Sequence, residues 1–370
     1  MDHVGARLRV ARTDAQVTLT QMAARTNYSK SHLCNVELGK RPATPDLVLA
    51  YERVLGDSVN RRGALAIAAT VVVSSAVAEL VQHGFAAAIG PRRDVDDWVA
   101  RSEGYGQDYM SLGAAELRGR LAADLVVLQQ ELDSPHLWGV AARLMTVHGK
   151  TLPGNDGGRG AIRSYEMAAI AADRSGDLET RVWVRGRAAL ALAYEGAHLP
   201  VAARLAEQAA GLSERPTLGR LNALTAQAHV AACRGDTGGA LSKLDDARRV
   251  FDTAGSSEQI SDFAVPLWRF HTFESMLLSR LGHPGAVAAQ DAADRTRPAS
   301  LPRFATHIEL HRGLMMASAG DAAGGLDHAR RALDRLPPER HSLSLRLMLA
   351  EVERTATSGT LKDNRRYRCT

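Results

Sequence analysis

Residues 18–41, TLTQMAARTNYSKSHLCNVELGKR, decide how the first part of this chain folds. Thr18-Leu19-Thr20-Gln21 has the form of a capping box, in which the Thr18 hydroxyl accepts from the amide three residues on and Gln21 reaches back. Leu19, Met22 and Ala23 then supply apolar contacts at helical spacing. Asn27-Tyr28 interrupts the pattern. Asn tolerates the left-handed conformation that a sharp turn needs, which places the turn there. Ser29 suits the N-cap of a second helix with Leu33 and Val36 facing inward. Gly39 is expected to end that helix in the left-handed region. The stretch therefore predicts two short helices joined by a tight turn.

The polar side chains of the second helix carry its chemistry. With Leu33 and Val36 buried, Lys30, Ser31 and Asn35 fall on the other side, towards a groove in duplex DNA. Lys can donate to guanine O6 or N7, Asn can pair bidentately with adenine, and Ser can serve either base. Lys40 and Arg41 follow the helix stop, where a loop meets phosphates. From about Val4 to Leu55 the sequence resembles the XRE (lambda-repressor/Cro-type) helix-turn-helix family. The resemblance rests on Arg12, Thr18, Gln21, Met22-Ala23, Ser29, Leu33, Val36-Glu37, Gly39 and Leu47. It implies that Arg12 on the first helix pairs with Glu37, tying that helix to the recognition helix. It also implies double-stranded DNA as partner. One position departs: many members have a backbone-contacting Gln where this chain has Leu19, so no contact is assigned there.

Upstream, residues 4–12 predict a first helix with Val4, Leu8 and Ala11 on one stripe. Thr44-Pro45 opens another helix through Leu55, Pro being favoured in a first turn. Leu47, Val48, Tyr51 and Leu55 face inward. These helices complete a DNA-binding domain over residues 1–57.

Composition fits an all-α protein. The chain has 370 residues, 5% aromatic, with a net charge of +5. Residues 1–62 hold ten Lys/Arg against six Asp/Glu, so most of the excess charge lies beside the predicted DNA-reading helix. Cys34, Cys233 and Cys369 are far apart and form no secreted-type disulfide framework, which points to a reducing cytosol. Residues 58–97 read as a linker. Within it the uncharged run from Gly63 to Ala78 has 16 residues, short of a membrane span of about 18–20. It is expected to form a buried helix joining domains or making a dimer contact, with membrane association or a mobile linker as the other readings, and Pro91 to Asp97 a hinge.

From Trp98 to Thr357 the pattern is helix after helix, punctuated by glycine. Gly196, Gly235, Gly282 and Gly320 mark a repeat at intervals of 39, 47 and 38 residues. Ala228 and Gly313 precede the glycine in the two clearest units. Ala240 and Ala247, or Gly325 and Ala332, follow it by five and twelve. Small residues at such positions let two helices cross closely. The pattern resembles the tetratricopeptide repeat, which implies a helical-hairpin superhelix over 98–357. Residues 341–355 predict a terminal helix, and 358–370 a basic tail.

In the glycine register, concave-face positions include Asn222 and His229, then Arg269, Thr272 and Met276, then His307 and Leu314. Polar groups at the rim and apolar ones deeper would suit a peptide or small molecule. An ordinary solvated helical face explains them equally well. His307 and His311 have a zinc-compatible i, i+4 spacing, but no third ligand is evident and no metal is expected. The loop GNDGGRG at 154–160 lacks the Lys-Ser/Thr ending of a phosphate loop and reads as an inter-helix connection. No nucleophile elbow, carboxylate pair or Cys/His constellation stands out, so neither an enzyme nor a cofactor is expected. A cytoplasmic transcriptional regulator follows, with a homodimer on a palindromic operator as its working form. The competing reading is a repeat-based protein-interaction scaffold whose helix-turn-helix no longer binds DNA.

Overall fold

The computed structural model describes residues 4–55, 81, 82, 84–86 and 88–366, all in helices, turns and loops without a strand. The predicted apolar run 63–78 lies outside the described residues. The chain divides into two compact units, 1–85 and 86–370.

The first unit contains α1 (Val4–Asp14), α2 (Leu19–Arg25), α3 (Lys30–Glu37) and α4 (Pro45–Leu55). Its core is Leu8, Met22, Leu33, Val36, Leu47, Val48, Tyr51 and Leu55. The Thr18–Gln21 capping box opens α2, and the Ser29 hydroxyl accepts from the His32 amide to open α3. Asn27 departs from the sequence reading, because it does not take the left-handed conformation. The α2–α3 turn is instead spread over extended residues, Thr26 at φ −128° and Ser29 at φ −71°. Gln16 is left-handed, at φ 54°, in the preceding turn. Gly5 was not singled out by sequence, yet a Cβ there would sit 1.8 Å from the Val36 carbonyl oxygen. Its missing side chain lets α1 lie against α3.

The second unit begins with α5 (Val95–Ser111), capped by Asp94, and α6 (Ala114–Leu128). There follow α7 (Pro135–Thr151), α8 (Arg159–Ser175), α9 (Leu178–Tyr194), α10 (Leu199–Leu212), α11 (Leu218–Cys233) and α12 (Thr237–Ala254). The remainder are α13 (Leu267–Arg280), α14 (Ala286–Thr296), α15 (Pro302–Ser318), α16 (Ala322–Asp334) and α17 (Leu343–Arg366). From α7 to α16 each odd-numbered helix packs against its successor as a hairpin, and α9 also packs on α11 and α13 on α15. The last helix packs on α15 and α16 and continues to Arg366, past the predicted boundary at 357.

The repeat glycines do what their spacing required. Gly196, Gly235, Gly282 and Gly320 have φ of 66°, 80°, 60° and 105° and follow α9, α11, α13 and α15. In two of these turns the next residue, Asp236 or Asp321, caps the following helix. Small residues set the crossings: a Cβ on Gly325 would lie 2.5 Å from the Gly313 carbonyl oxygen. A second pair escaped the sequence reading. A Cβ on Gly186 would lie 2.2 Å from the Gly219 carbonyl oxygen, where α9 meets α11.

Candidate functional site

In the first unit, the side chains named for DNA contact are placed by α3 and its terminating loop. Lys30 and Ser31 are exposed in the first turn and Asn35 is half-buried. Lys40 and Arg41 are exposed just beyond the helix. Gly39, at φ 72°, turns the chain so that the Lys40 and Arg41 amides both donate to the Asn35 carbonyl, at 2.8 and 3.1 Å. The basic loop is thereby fixed to the C-terminal end of the helix. Two further groups join this surface: the Tyr28 ring stacks on His32 with centroids 5.5 Å apart, and Arg41 Nη1 lies 3.5 Å from His32 Nδ1.

Behind the surface, Arg12 holds Glu37 in a two-pronged contact, Nε to Oε1 at 2.7 Å and Nη2 to Oε2 at 2.8 Å. Both side chains are buried. Arg12 Nη1 also donates to the Val17 carbonyl at 2.8 Å, and the Tyr51 hydroxyl to Glu37 Oε1 at 2.8 Å. Burial, with the Glu37 carboxylate beside it, raises the Tyr51 hydroxyl above the ordinary tyrosine range. One carboxylate therefore joins α1, α3 and α4. Leu19 packs against the core of the unit. Cys34 is half-buried.

Residues 3–65 match the family described as helix-turn-helix domain. This covers α1 to α4, including the exposed polar edge of α3 and its basic loop. No curated protein and no solved structure matches the chain. Among the described residues, no helix is long and apolar enough to cross a membrane.

The six positions suggested for a ligand on the repeats do not form an open rim. Asn222, His229, Arg269, Thr272, Met276 and His307 are all buried. Asn222, His229 and Met276 belong to the interior, whereas Arg269, Thr272 and His307 line a small cavity of about 50 Å³ that opens past the half-buried Glu195 and Tyr109. Lys150, Arg187, Glu195, Arg303 and Tyr109 share its wall. Behind the wall, Asp262 Oδ1 accepts from Arg187 Nη2 at 2.7 Å, from Arg269 Nη2 at 2.6 Å and from Lys150 Nζ. The three cations hold the Asp262 carboxyl well below the usual carboxylate range, although burial opposes them.

Sequence reasoning missed Asp262, Lys150 and Arg187. Asp262 lies in the 255–266 connection, where no helical period marks it, and its amide donates to the Gly106 carbonyl at 2.8 Å. The length of that connection, 12 residues, was the available signal, since helix–helix loops are usually about 2–8 residues.

A buried histidine cluster adjoins the cavity. The Tyr194 hydroxyl lies 3.1 Å from His311 Nε2 and 3.4 Å from His307 Nδ1, and Ser275 Oγ lies 2.5 Å from His311 Nδ1. Both His311 nitrogens are occupied by hydroxyls. Among the described residues, no group of three His, Cys, Asp or Glu could hold a metal ion. The 154–160 loop is a compact turn: Asp156 accepts from the Gly158 and Gly160 amides at 3.0 and 2.6 Å at the start of α8.

Proposed function

We propose that this chain is a sequence-specific DNA-binding transcriptional regulator, acting in the cytoplasm as a homodimer on a palindromic operator. The observation that carries the reading is the polar edge of α3, Lys30, Ser31 and Asn35, continued by Lys40 and Arg41 on a loop anchored to the same helix. Bases are read by the former, and phosphates hold the register through the latter. One recognition helix reads few base pairs, so tight binding requires two half-sites about one helical turn apart. The helical hairpins are read as divergent tetratricopeptide-like repeats that dimerise, sense a peptide or small molecule, or do both. Neither catalysis nor a cofactor has a part in this reading.

Selection of genomic fragments with the full chain, followed by salt-dependent gel shifts, tests it. Enrichment of one inverted-repeat sequence, with affinity falling steeply as salt rises, is the expected result. A chain that retains no fragment at low salt would instead act as an interaction scaffold, the reading that Leu19 favours.

A further inference from the structure

The cavity wall carries more positive charge than its own carboxylates balance. Lys150, Arg187, Arg269 and Arg303 face it, against Glu195 in the wall and Asp262 behind it. Unbalanced buried charge is costly, so a fold that keeps it either pairs it or uses it. Donors remain as well. Among the described residues, Arg187 donates only to Asp262 and Arg303 only to the Tyr109 carbonyl oxygen. Arg269 Nε is buried without a partner. The volume of about 50 Å³ corresponds to roughly four water-sized positions, enough for one small oxyanion but not for a peptide segment.

We propose that this cavity binds a small oxyanion, a carboxylate or phosphate group, through the guanidinium groups of Arg187 and Arg303. Planar guanidinium forks suit both kinds of group. The site gives chemistry to the sensing role proposed above and rests on that reading only for its biological use. Glu195 is the antagonist in the wall, a carboxylate with no hydrogen bond among the described residues, competing with an incoming anion. Desolvation of the half-buried Glu195 carboxyl pushes it up to about 7, with Lys150 and Arg187 pulling the other way. Anion binding should therefore strengthen as pH falls through 7 and Glu195 becomes neutral; Lys150, which burial holds well below the ordinary lysine range, gains charge in the same direction. The other charged or titratable groups around it are Asp262, Arg269, Arg303, Tyr109, Tyr165, Tyr194 and His307. Burial lowers His307 to about 3, so it stays neutral over that range.

The test uses the full chain without DNA, so that failure here is separate from failure to bind an operator. Thermal unfolding is followed in sodium phosphate, sodium acetate or sodium chloride at matched ionic strength. A saturable rise in Tm with phosphate alone identifies a phosphate site, and one with acetate alone a carboxylate site. A rise with both identifies a general oxyanion site. Glu195→Gln should tighten the responding anion by roughly tenfold at pH 8 and flatten its pH dependence. Arg303→Met should abolish the response. A chain with Lys30→Ala and Lys40→Ala, altered only in the first unit, should keep it. The proposal is overturned if neither oxyanion shows saturation, or if Glu195→Gln leaves the affinity unchanged.

Discussion

Tyr51 and Arg12 converge on a single oxygen: Glu37 Oε1 accepts from the Tyr51 hydroxyl at 2.8 Å and from Arg12 Nε at 2.7 Å. Helix α3 is thus fixed from two sides, by α1 and by α4, through the buried carboxylate of Glu37. Arg12→Ala would leave the Glu37 charge buried without its ionic partner, at a cost of about 3–5 kcal/mol. Tyr51→Phe, which removes one hydrogen bond to a charged group, should cost about 1.5–3 kcal/mol. Hydrogen exchange of peptides within residues 4–55 measures both. Wild-type protection in the Arg12 variant would show that the pair does not stabilise the unit.

Base readers and phosphate contacts should separate on selected DNA. Lys30→Ala or Asn35→Ala should cost about 1–3 kcal/mol on the preferred site and relax base preference. Lys40→Ala should weaken binding to all sequences and lower the salt slope by about one unit. Equal losses on preferred and random duplexes from all three variants would show that α3 does not read bases.

The helix crossings predict opposite signs for two glycine substitutions. Gly325→Ala forces a methyl group to within 2.5 Å of the Gly313 carbonyl oxygen, so overpacking should cost about 1–3 kcal/mol. Gly119 is exposed within α6, with nothing within 4 Å of an added Cβ. There Ala should stabilise by about 0.5–1 kcal/mol through its better helix propensity. Urea unfolding followed by the helical circular dichroism signal compares the two variants.

Acid should destabilise the second unit through its buried histidines. Burial lowers His229, His307 and His311, and His148 less completely, so each is neutral when folded and takes up a proton when unfolded. A depressed folded pKa contributes stability that is full above the unfolded value of about 6.5 and is lost as pH falls towards the folded one. Glu195 works in the opposite sense, because its raised folded pKa of about 7 adds stability as pH falls towards the unfolded value. The histidines outnumber it. Between pH 6.5 and 4.5 the urea midpoint should therefore fall, and His311→Gln should reduce the slope. An unchanged midpoint across that range would mean that these rings take up protons in the folded chain as readily as in the unfolded one.

Local chemistry made the first unit legible in sequence. Thr18, Gln21, Ser29 and Gly39 act through hydrogen bonds or backbone torsions within a few residues of themselves, so their roles survive without a tertiary structure. Leu33, Val36 and Tyr51 declare their inward faces by period. The repeat glycines were legible for the same reason, since a left-handed residue ends a helix whatever lies opposite. Gly5, Gly186 and Gly219 were not, because a glycine that permits a close crossing is defined by the backbone it meets. The resemblance implied Arg12 and Glu37 as a pair, but only the packing of α4 added Tyr51. The second unit shows the limit most clearly. Arg269, Thr272 and His307 were placed by register at an open rim, whereas the tertiary structure closes the helices over them. Lys150, Arg187 and Asp262 come together from positions up to 112 residues apart. Charge is long-ranged in a dry interior, and a helical period records only the face a residue takes, not the charges that the fold brings to meet it.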